Sequence, residues 1–249
     1  MRRTIAISDI HGCVGPLNEL LRRMKYDRSR DRLLLLGDYV DRGPKSRETV
    51  ERVMQLVAEG AVALRGNHDQ RLVDLALRGD DETVRKFIDH GGTATAVSYL
   101  GESDWLTKGE PAEQTASRLR MLLRDRFEAH ISFLGSLPLY VEDGKHLFVH
   151  AGIHPDYGGN WREQPEREFM YVKEPFWGRG TGLDAKVVFG HTRAVELHGK
   201  PSVWFGGDKI GIDGGCAYGQ QLNGLEITAG GYAVWSVPAA YEGGEEERL

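Results

Sequence analysis

Short continuous apolar runs punctuate the chain, and the most regular of them stop at glycine and a polar residue. Residues 4–7 lead into Ser8, Asp9, Ile10, His11 and Gly12, and residues 33–36 lead into Gly37 and Asp38. Residues 61–64 precede Arg65, Gly66, Asn67, His68 and Asp69; residues 146–149 precede His150, Ala151 and Gly152; residues 186–189 precede Gly190, His191 and Thr192. Runs this short and this apolar suit strands buried on both faces. Between the first of them, residues 17–21 and 50–57 carry helical spacing. Strand and helix in alternation predict an α/β layered fold.

The later chain has a different rhythm. Residues 203–205, 209–213, 222–227 and 232–237 read as successive antiparallel strands joined by glycine-rich turns. Residues from about 80 to 135 are helical in pattern and lack the polar strand ends, which predicts a helical insertion or cap over the site. Residues 1–240 are expected to form one domain, and the acidic residues 241–249 a frayed tail.

Charge and cysteine content narrow the function classes. Lys and Arg number 32 against 37 Asp and Glu, a formal charge of −5, so bulk attraction to nucleic acid or an anionic membrane is not expected. A phosphate-bearing ligand would need a local positive site. No run of about 18 apolar residues is present to span a bilayer. Cys13 and Cys216 are too few for a disulfide framework or a four-cysteine metal site, and a cytoplasmic setting is expected.

Ligands of open α/β sheets collect at the carboxyl ends of strands. Asp9, His11, Asp38, Asp41, Asn67, His68, His150 and His191 all fall at such ends, so they are candidates to converge. Mixed carboxylate, amide and imidazole donors without thiolate suit divalent ions such as Mn²⁺, Fe²⁺ or Zn²⁺.

In order along the chain stand Asp9-Ile10-His11-Gly12, Gly37-Asp38-Tyr39-Val40-Asp41-Arg42-Gly43, Gly66-Asn67-His68-Asp69, His150-Ala151-Gly152 and Gly190-His191-Thr192. The set resembles the phosphoprotein phosphatase family of the calcineurin-like metallophosphoesterases. Ile212-Asp213-Gly214-Gly215-Cys216 with Tyr218-Gly219 resembles a later motif of its bacterial branch. The resemblance implies a sandwich of two β-sheets flanked by helices. It also implies two divalent ions, first Mn²⁺ with Fe²⁺, Zn²⁺ and Mg²⁺ as alternatives. Asp9 and His11 would hold one ion, Asp38 would bridge, and Asn67, His150 and His191 would hold the other. A metal-bridging hydroxide would attack phosphorus, His68 would protonate the leaving oxygen, Asp41 would orient His68, and Arg42 would grip the phosphate.

The family's second phosphate-gripping arginine has two candidate frames here. Trp177-Gly178-Arg179 keeps the letters, whereas Tyr171-Val172-Lys173 better fits the position after His150. Arg179 is preferred and Lys173 is its rival, offering a point charge without a bidentate fork. Arg65 reads as a phosphate contact or a structural ion pair, and His154 as a cleft-lining residue. The implied substrate is first a phosphorylated Ser or Thr of a protein. The alternative is diadenosine tetraphosphate or a related dinucleoside polyphosphate, and a catalytically inactive binding module comes third. An open groove would mark the protein phosphatase; an enclosed pocket with aromatic faces for a base and several cations for the extra phosphates would mark the dinucleotide enzyme.

Overall fold

The computed structural model describes residues 2–101 and 111–240; the predicted tail at 241–249 lies outside the described residues. In chain order the elements are β1 (Arg3–Ile7), α1 (Val14–Arg23), β2 (Asp31–Leu35), α2 (Ser46–Ala58), β3 (Val62–Ala63) and α3 (Asn67–Leu77). Helices α4 (Asp81–Asp89), α5 (Gly92–Leu100), α6 (Ala112–Arg126) and α7 (Glu128–Ser136) follow. Then come β4 (Tyr140–Glu142), β5 (His146–Val149), α8 (Glu166–Tyr171), β6 (Lys186–Phe189), α9 (Ala194–His198), β7 (Trp204–Phe205), β8 (Lys209–Gly211), β9 (Gln221–Thr228) and β10 (Gly231–Pro238).

Two five-stranded sheets form, ordered β10-β9-β1-β2-β3 and β4-β5-β6-β8-β7. Each has three parallel strands, β1, β2 and β3 in one and β5, β6 and β8 in the other, with antiparallel partners outside them. The period of two along a strand explains how continuous apolar runs serve this arrangement. In β1, Ile5 and Ile7 face the helices while Ala6 faces the other sheet. In β5, Leu147 and Val149 face α8 while Phe148 turns inward, and β6 repeats this with Val187, Phe189 and Val188. The layers are therefore helices, sheet, sheet and a thinner outer layer of α8 and loops.

One expectation needs correcting. The late strands do not run as a single antiparallel series: β8 pairs parallel with β6, and the chain then crosses to the first sheet, where β9 and β10 form its edge hairpin. The crossing loop after β8 thus leaves the carboxyl end of a parallel strand, a position the antiparallel reading did not assign to it.

Helices α4 to α7 pack into the core shared by α1, α2 and the first sheet, through Phe87, Ala96, Leu119, Leu123 and Leu134. Thr95 of α5 donates to Asp41, and His90, just after α4, lines the cleft. The inter-sheet core is small, and Phe148 is its largest buried ring. Phe148→Ala is expected to lower the unfolding free energy by about 3–5 kcal/mol, measured by denaturant titration.

Candidate active site

Six parallel strands deliver polar residues to one seam between the sheets. Asp9 and His11 follow β1, Asp38 and Asp41 follow β2, Asn67 and His68 open α3 after β3, His150 follows β5, His191 follows β6, and Asp213 follows β8. The backbone there is unusual. Among the described residues, seven non-glycine positions have positive φ, and six of them are Asp9, His11, Asp38, Asp41, Arg42 and His191. Left-handed backbone at bulky residues is costly and persists only where the surroundings impose it. Two glycines allow the required approach: a Cβ on Gly66 would lie 2.2 Å from Asp38 Oδ1, and one on Gly190 would lie 2.1 Å from Asp9 Oδ2.

Asp38 occupies the centre. Its Oδ2 lies 3.4 Å from His11 Nε2 and its Oδ1 lies 3.4 Å from His150 Nε2, so one carboxylate faces an imidazole from each sheet. The His68 backbone N–H, in the first turn of α3, donates to Asp38 Oδ1 at 2.9 Å. Both flanking imidazoles have their outer nitrogen engaged: His11 Nδ1 meets the Val40 carbonyl and His150 Nδ1 the Leu36 carbonyl, each at 2.7 Å. Such carbonyl partners at Nδ1 direct each Nε2 toward the seam.

The donor set fits divalent cations. Asp38, His150 and His191 form one group whose ligand atoms lie within 4.8 Å of one another, and His11, Asp38 and His68 form a second group. The Asn67 side-chain oxygen lies 3.0 Å from His150 Nε2 and its position also faces His191 Nδ1 at 2.9 Å. Hydrogen bonding alone favours the opposite amide orientation, with nitrogen toward the two rings and oxygen toward Arg71. An inward oxygen beside two imidazole nitrogens is instead a convergence of lone pairs, which a cation satisfies.

The titration of the cluster points the same way. Burial drives the His11 and His191 imidazoles well below their ordinary pKa. Burial opposes the charge on Asp38, yet His150, His68 and His11 hold its carboxyl well below the ordinary range. Burial would lower His150 too, but Asp38 and Asp9 lift it to about 9. A proton on His150 thus supplies positive charge where a bound cation would displace it. Asp9 sits within the seam with its carboxylate turned to the Ser8 hydroxyl (2.5 Å) and the His191 backbone N–H (3.0 Å). It belongs to neither of the two tight donor groups.

His68 and Asp41 are in contact: His68 Nδ1 lies 2.7 Å from Asp41 Oδ2, and Thr95 Oγ1 donates to Asp41 Oδ1 at 2.7 Å. The other ring nitrogen, Nε2, faces Arg42 at 2.8 Å and Arg71 at 3.0 Å. Arg42 also donates to His11 Nε2. Asp69, whose carboxyl burial raises to about 7, accepts from the backbone N–H groups of Asp38, Tyr39 and Gly66, tying the β2 and β3 loops together.

Over the cluster lies a cleft of about 350 Å³, walled by Arg42, Arg71, Lys173, Arg193, His90, Tyr171 and Tyr218 among others. Of the two rival cations, the preferred Arg179 does not line this cleft and Lys173 does. Lys173 lines the cleft, 3.9 Å from Glu196. Arg179 is exposed outside it, 3.6 Å from Asp156, and its backbone carbonyl accepts from Lys209. His154 is also displaced: its Nδ1 accepts from the Asp156 backbone N–H, and His90 lines the cleft instead. Arg65 is structural, donating to the Gly135 carbonyl and pairing with Glu166.

Arg71, His90, Arg193, Glu196, Asp213 and Tyr218 line the cleft with no task assigned from the sequence. Arg71 had a usable signal, since it lies one helical turn beyond Asn67 and therefore on the same face of α3.

Residues 2–194 match the calcineurin-like phosphoesterase family. The chain belongs to that family. The match, the two-sheet α/β sandwich and the His/Asp cluster together make this a metallophosphoesterase whose cluster is suited to divalent metal. Among its relatives, an Anoxybacillus flavithermus protein named bis(5'-nucleosyl)-tetraphosphatase PrpE [asymmetrical] is 28% identical over 88% of each chain. A Dechloromonas aromatica bis(5'-nucleosyl)-tetraphosphatase, symmetrical, is 37% identical over 49% of each chain. The fold is shared with the crystal structure of a putative diadenosine tetraphosphatase, at 24% identity and a TM-score of 0.65, over 95% of this chain and 93% of that one. It is also shared with a Saccharomyces cerevisiae protein serine/threonine phosphatase, at 14% identity and a TM-score of 0.59, over 96% of this chain and 84% of that one. Among the described residues, no helix is long and apolar enough to cross a membrane.

Divalent metal is expected to stabilise the fold. At about 100 times its Kd, Mn²⁺ should add about 2.7 kcal/mol and raise Tm by roughly 5–10 °C. His191→Ala, which alters a half-buried ligand candidate, should remove most of that rise in a thermal melt; an equal rise in both proteins would count against His191 as a ligand.

Proposed function

We propose that this metallophosphoesterase hydrolyses dinucleoside polyphosphates of the bis(5'-nucleosyl)-tetraphosphate type. The observation that carries the reading is the cleft wall. Arg42, Arg71, Lys173 and Arg193 surround one opening, against a single wall carboxylate, Glu196, beyond the central aspartates. A phosphoserine dianion needs fewer cations than this; a chain of four phosphates matches them. Tyr171 and Tyr218 add aromatic faces of the kind that stack on bases. The names of relatives matched over most of their length support the same choice. The protein serine/threonine phosphatase reading, placed first on the motifs alone, takes second place.

The proposed mechanism assigns each residue a task. Asp9, His11, Asp38, Asn67, His150 and His191 would hold two divalent ions, for which Mn²⁺ is our choice. When bound, such ions activate water for in-line attack and neutralise the phosphoryl oxygens. Arg42, at the floor of the cleft, grips two oxygens of the phosphate under attack with its planar fork. Asp41 holds the His68 ring through Nδ1, leaving Nε2 aimed into the cleft. Nε2 also faces the guanidinium groups of Arg42 and Arg71. Bound phosphate oxygens draw those groups away, and His68 then carries a proton on Nε2 for the oxygen that leaves. Lys173 contributes a point charge from the opposite wall. The substrate is a soluble nucleotide, and neither a nucleic-acid duplex nor a membrane is a partner in this reading.

Parallel kinetics with Mn²⁺ on diadenosine tetraphosphate and on a phosphoserine peptide test the proposal. The expected outcome is a kcat/KM at least a hundredfold higher for the dinucleotide; a preference for the phosphopeptide would reverse the choice. Separation of the products as two ADP, or as AMP and ATP, distinguishes symmetrical from asymmetrical cleavage. His68→Ala should lose turnover by about 10²–10⁴-fold while retaining the metal-dependent rise in Tm. Lys173→Ala should raise KM for the dinucleotide, whereas Arg179→Ala should leave it unchanged; the reverse pattern would restore Arg179.

A further inference from the structure

A second cavity of about 610 Å³ opens directly off the first, sharing Arg71, His90 and Tyr171 with it. It runs between α3, α4 and α8. We propose that this second lobe holds the leaving nucleotide, with its phosphates on Arg71, Arg78, Lys86 and Arg167 and its base against Tyr171. This rests on the dinucleoside polyphosphate reading and extends it to a part of the surface the metal ligands do not touch.

Three observations carry it. The first is direction. Arg71, which lines both lobes, lies 3.0 Å from His68 Nε2, the nitrogen that faces the leaving oxygen. Arg42 lies at the same nitrogen, 2.8 Å away, but borders only the first lobe, so Arg71 is the cation that joins the neighbourhood of His68 to the second. The second is availability of charge. Arg78 and Arg167 are 70% and 74% exposed, and their ion pairs, to Asp74 at 3.8 Å and Glu168 at 4.0 Å, are too long for hydrogen bonds. Guanidinium groups held this loosely can turn to phosphate at little cost. The third is the aromatic face. The Tyr171 ring has the Arg71 guanidinium 5.6 Å and the Arg167 guanidinium 5.1 Å from its centroid. One side chain thus marks the junction of the lobes, with cations poised around a surface on which a base can stack.

The test uses the charge reversals Arg78→Glu and Arg167→Glu in the full chain, with Arg30→Glu as a control for net charge. Arg30 is 76% exposed and borders neither lobe. Two quantities are read: the ratio of kcat/KM for diadenosine tetraphosphate to that for p-nitrophenyl phosphate, and the Kd of inorganic tripolyphosphate by titration calorimetry. Each lobe variant is expected to lower the ratio about tenfold, mostly through KM, and to weaken tripolyphosphate about tenfold, on the scale of one charge-assisted contact. Arg30→Glu should change neither. Wild-type values of both quantities in both lobe variants would overturn the lobe, as would an equal loss in the control. Should the unaltered protein fail to cleave diadenosine tetraphosphate, the functional reading falls, while tripolyphosphate binding still decides whether the lobe takes polyphosphate.

Discussion

Five carboxylates, Asp9, Asp38, Asp41, Asp69 and Asp213, are each at most 5% exposed and crowd the seam between the sheets. Ionised groups removed from water are expensive unless hydrogen bonds and opposite charge compensate them. Much of the local structure consists of that compensation. Asp69 takes three backbone N–H groups, Asp41 takes His68 and Thr95, and Asp213 takes the Gly215 backbone N–H. Burial raises Asp9 and Asp213 above the ordinary carboxylate range, with Asp38 adding to both, so hydrogen bonds do not relieve them fully. Buried carboxylates ringed by imidazole and amide donors make a site suited to cations.

The same demand explains the strained backbone. To bring side chains from both sheets within a few ångströms, the chain must turn sharply straight after each strand, and Asp9, Asp38 and His191 do so with positive φ. Gly66 and Gly190 are needed because a carboxylate oxygen occupies the space a Cβ would fill. The parallel strands supply the rigid base against which such turns can be held. In this fold, local strain is offset by inter-sheet packing through Ala6, Leu34, Phe148 and Val188.

How much of this was legible in the sequence follows from what each signal encodes. Apolar runs ending in polar residues encode strand ends, and five of the six contributing strands were visible that way. The sixth, β8, was hidden because Lys209-Ile210-Gly211 is short and flanked by glycines, so it resembled the neighbouring antiparallel strands; Asp213 was therefore quoted without a task. Residues adjacent to another candidate site residue, as His68 is to Asn67 and Arg42 to Asp41, inherit its position. Lys173 and Arg179 stand on a long irregular connection, where the direction of a side chain depends on loop path. Letters alone favoured Arg179; packing of Phe176 under Gly152 and the Lys209 contact to the Arg179 carbonyl turn that segment away from the cleft.

The candidate metal ligands stand at strand ends, where geometry is fixed by two packed sheets. Of the wall cations, Arg42 and Arg193 stand in the loops beside them, Arg71 one turn along α3, and Lys173 in the loop after α8. In the proposed reading, discrimination between a phosphoprotein and a dinucleotide rests on Arg71, Lys173, Arg193 and the tyrosines of the cleft wall. Motifs shared across the family are silent on substrate for the same physical reason that they are reliable on chemistry: they report the part of the site the sheets hold rigid.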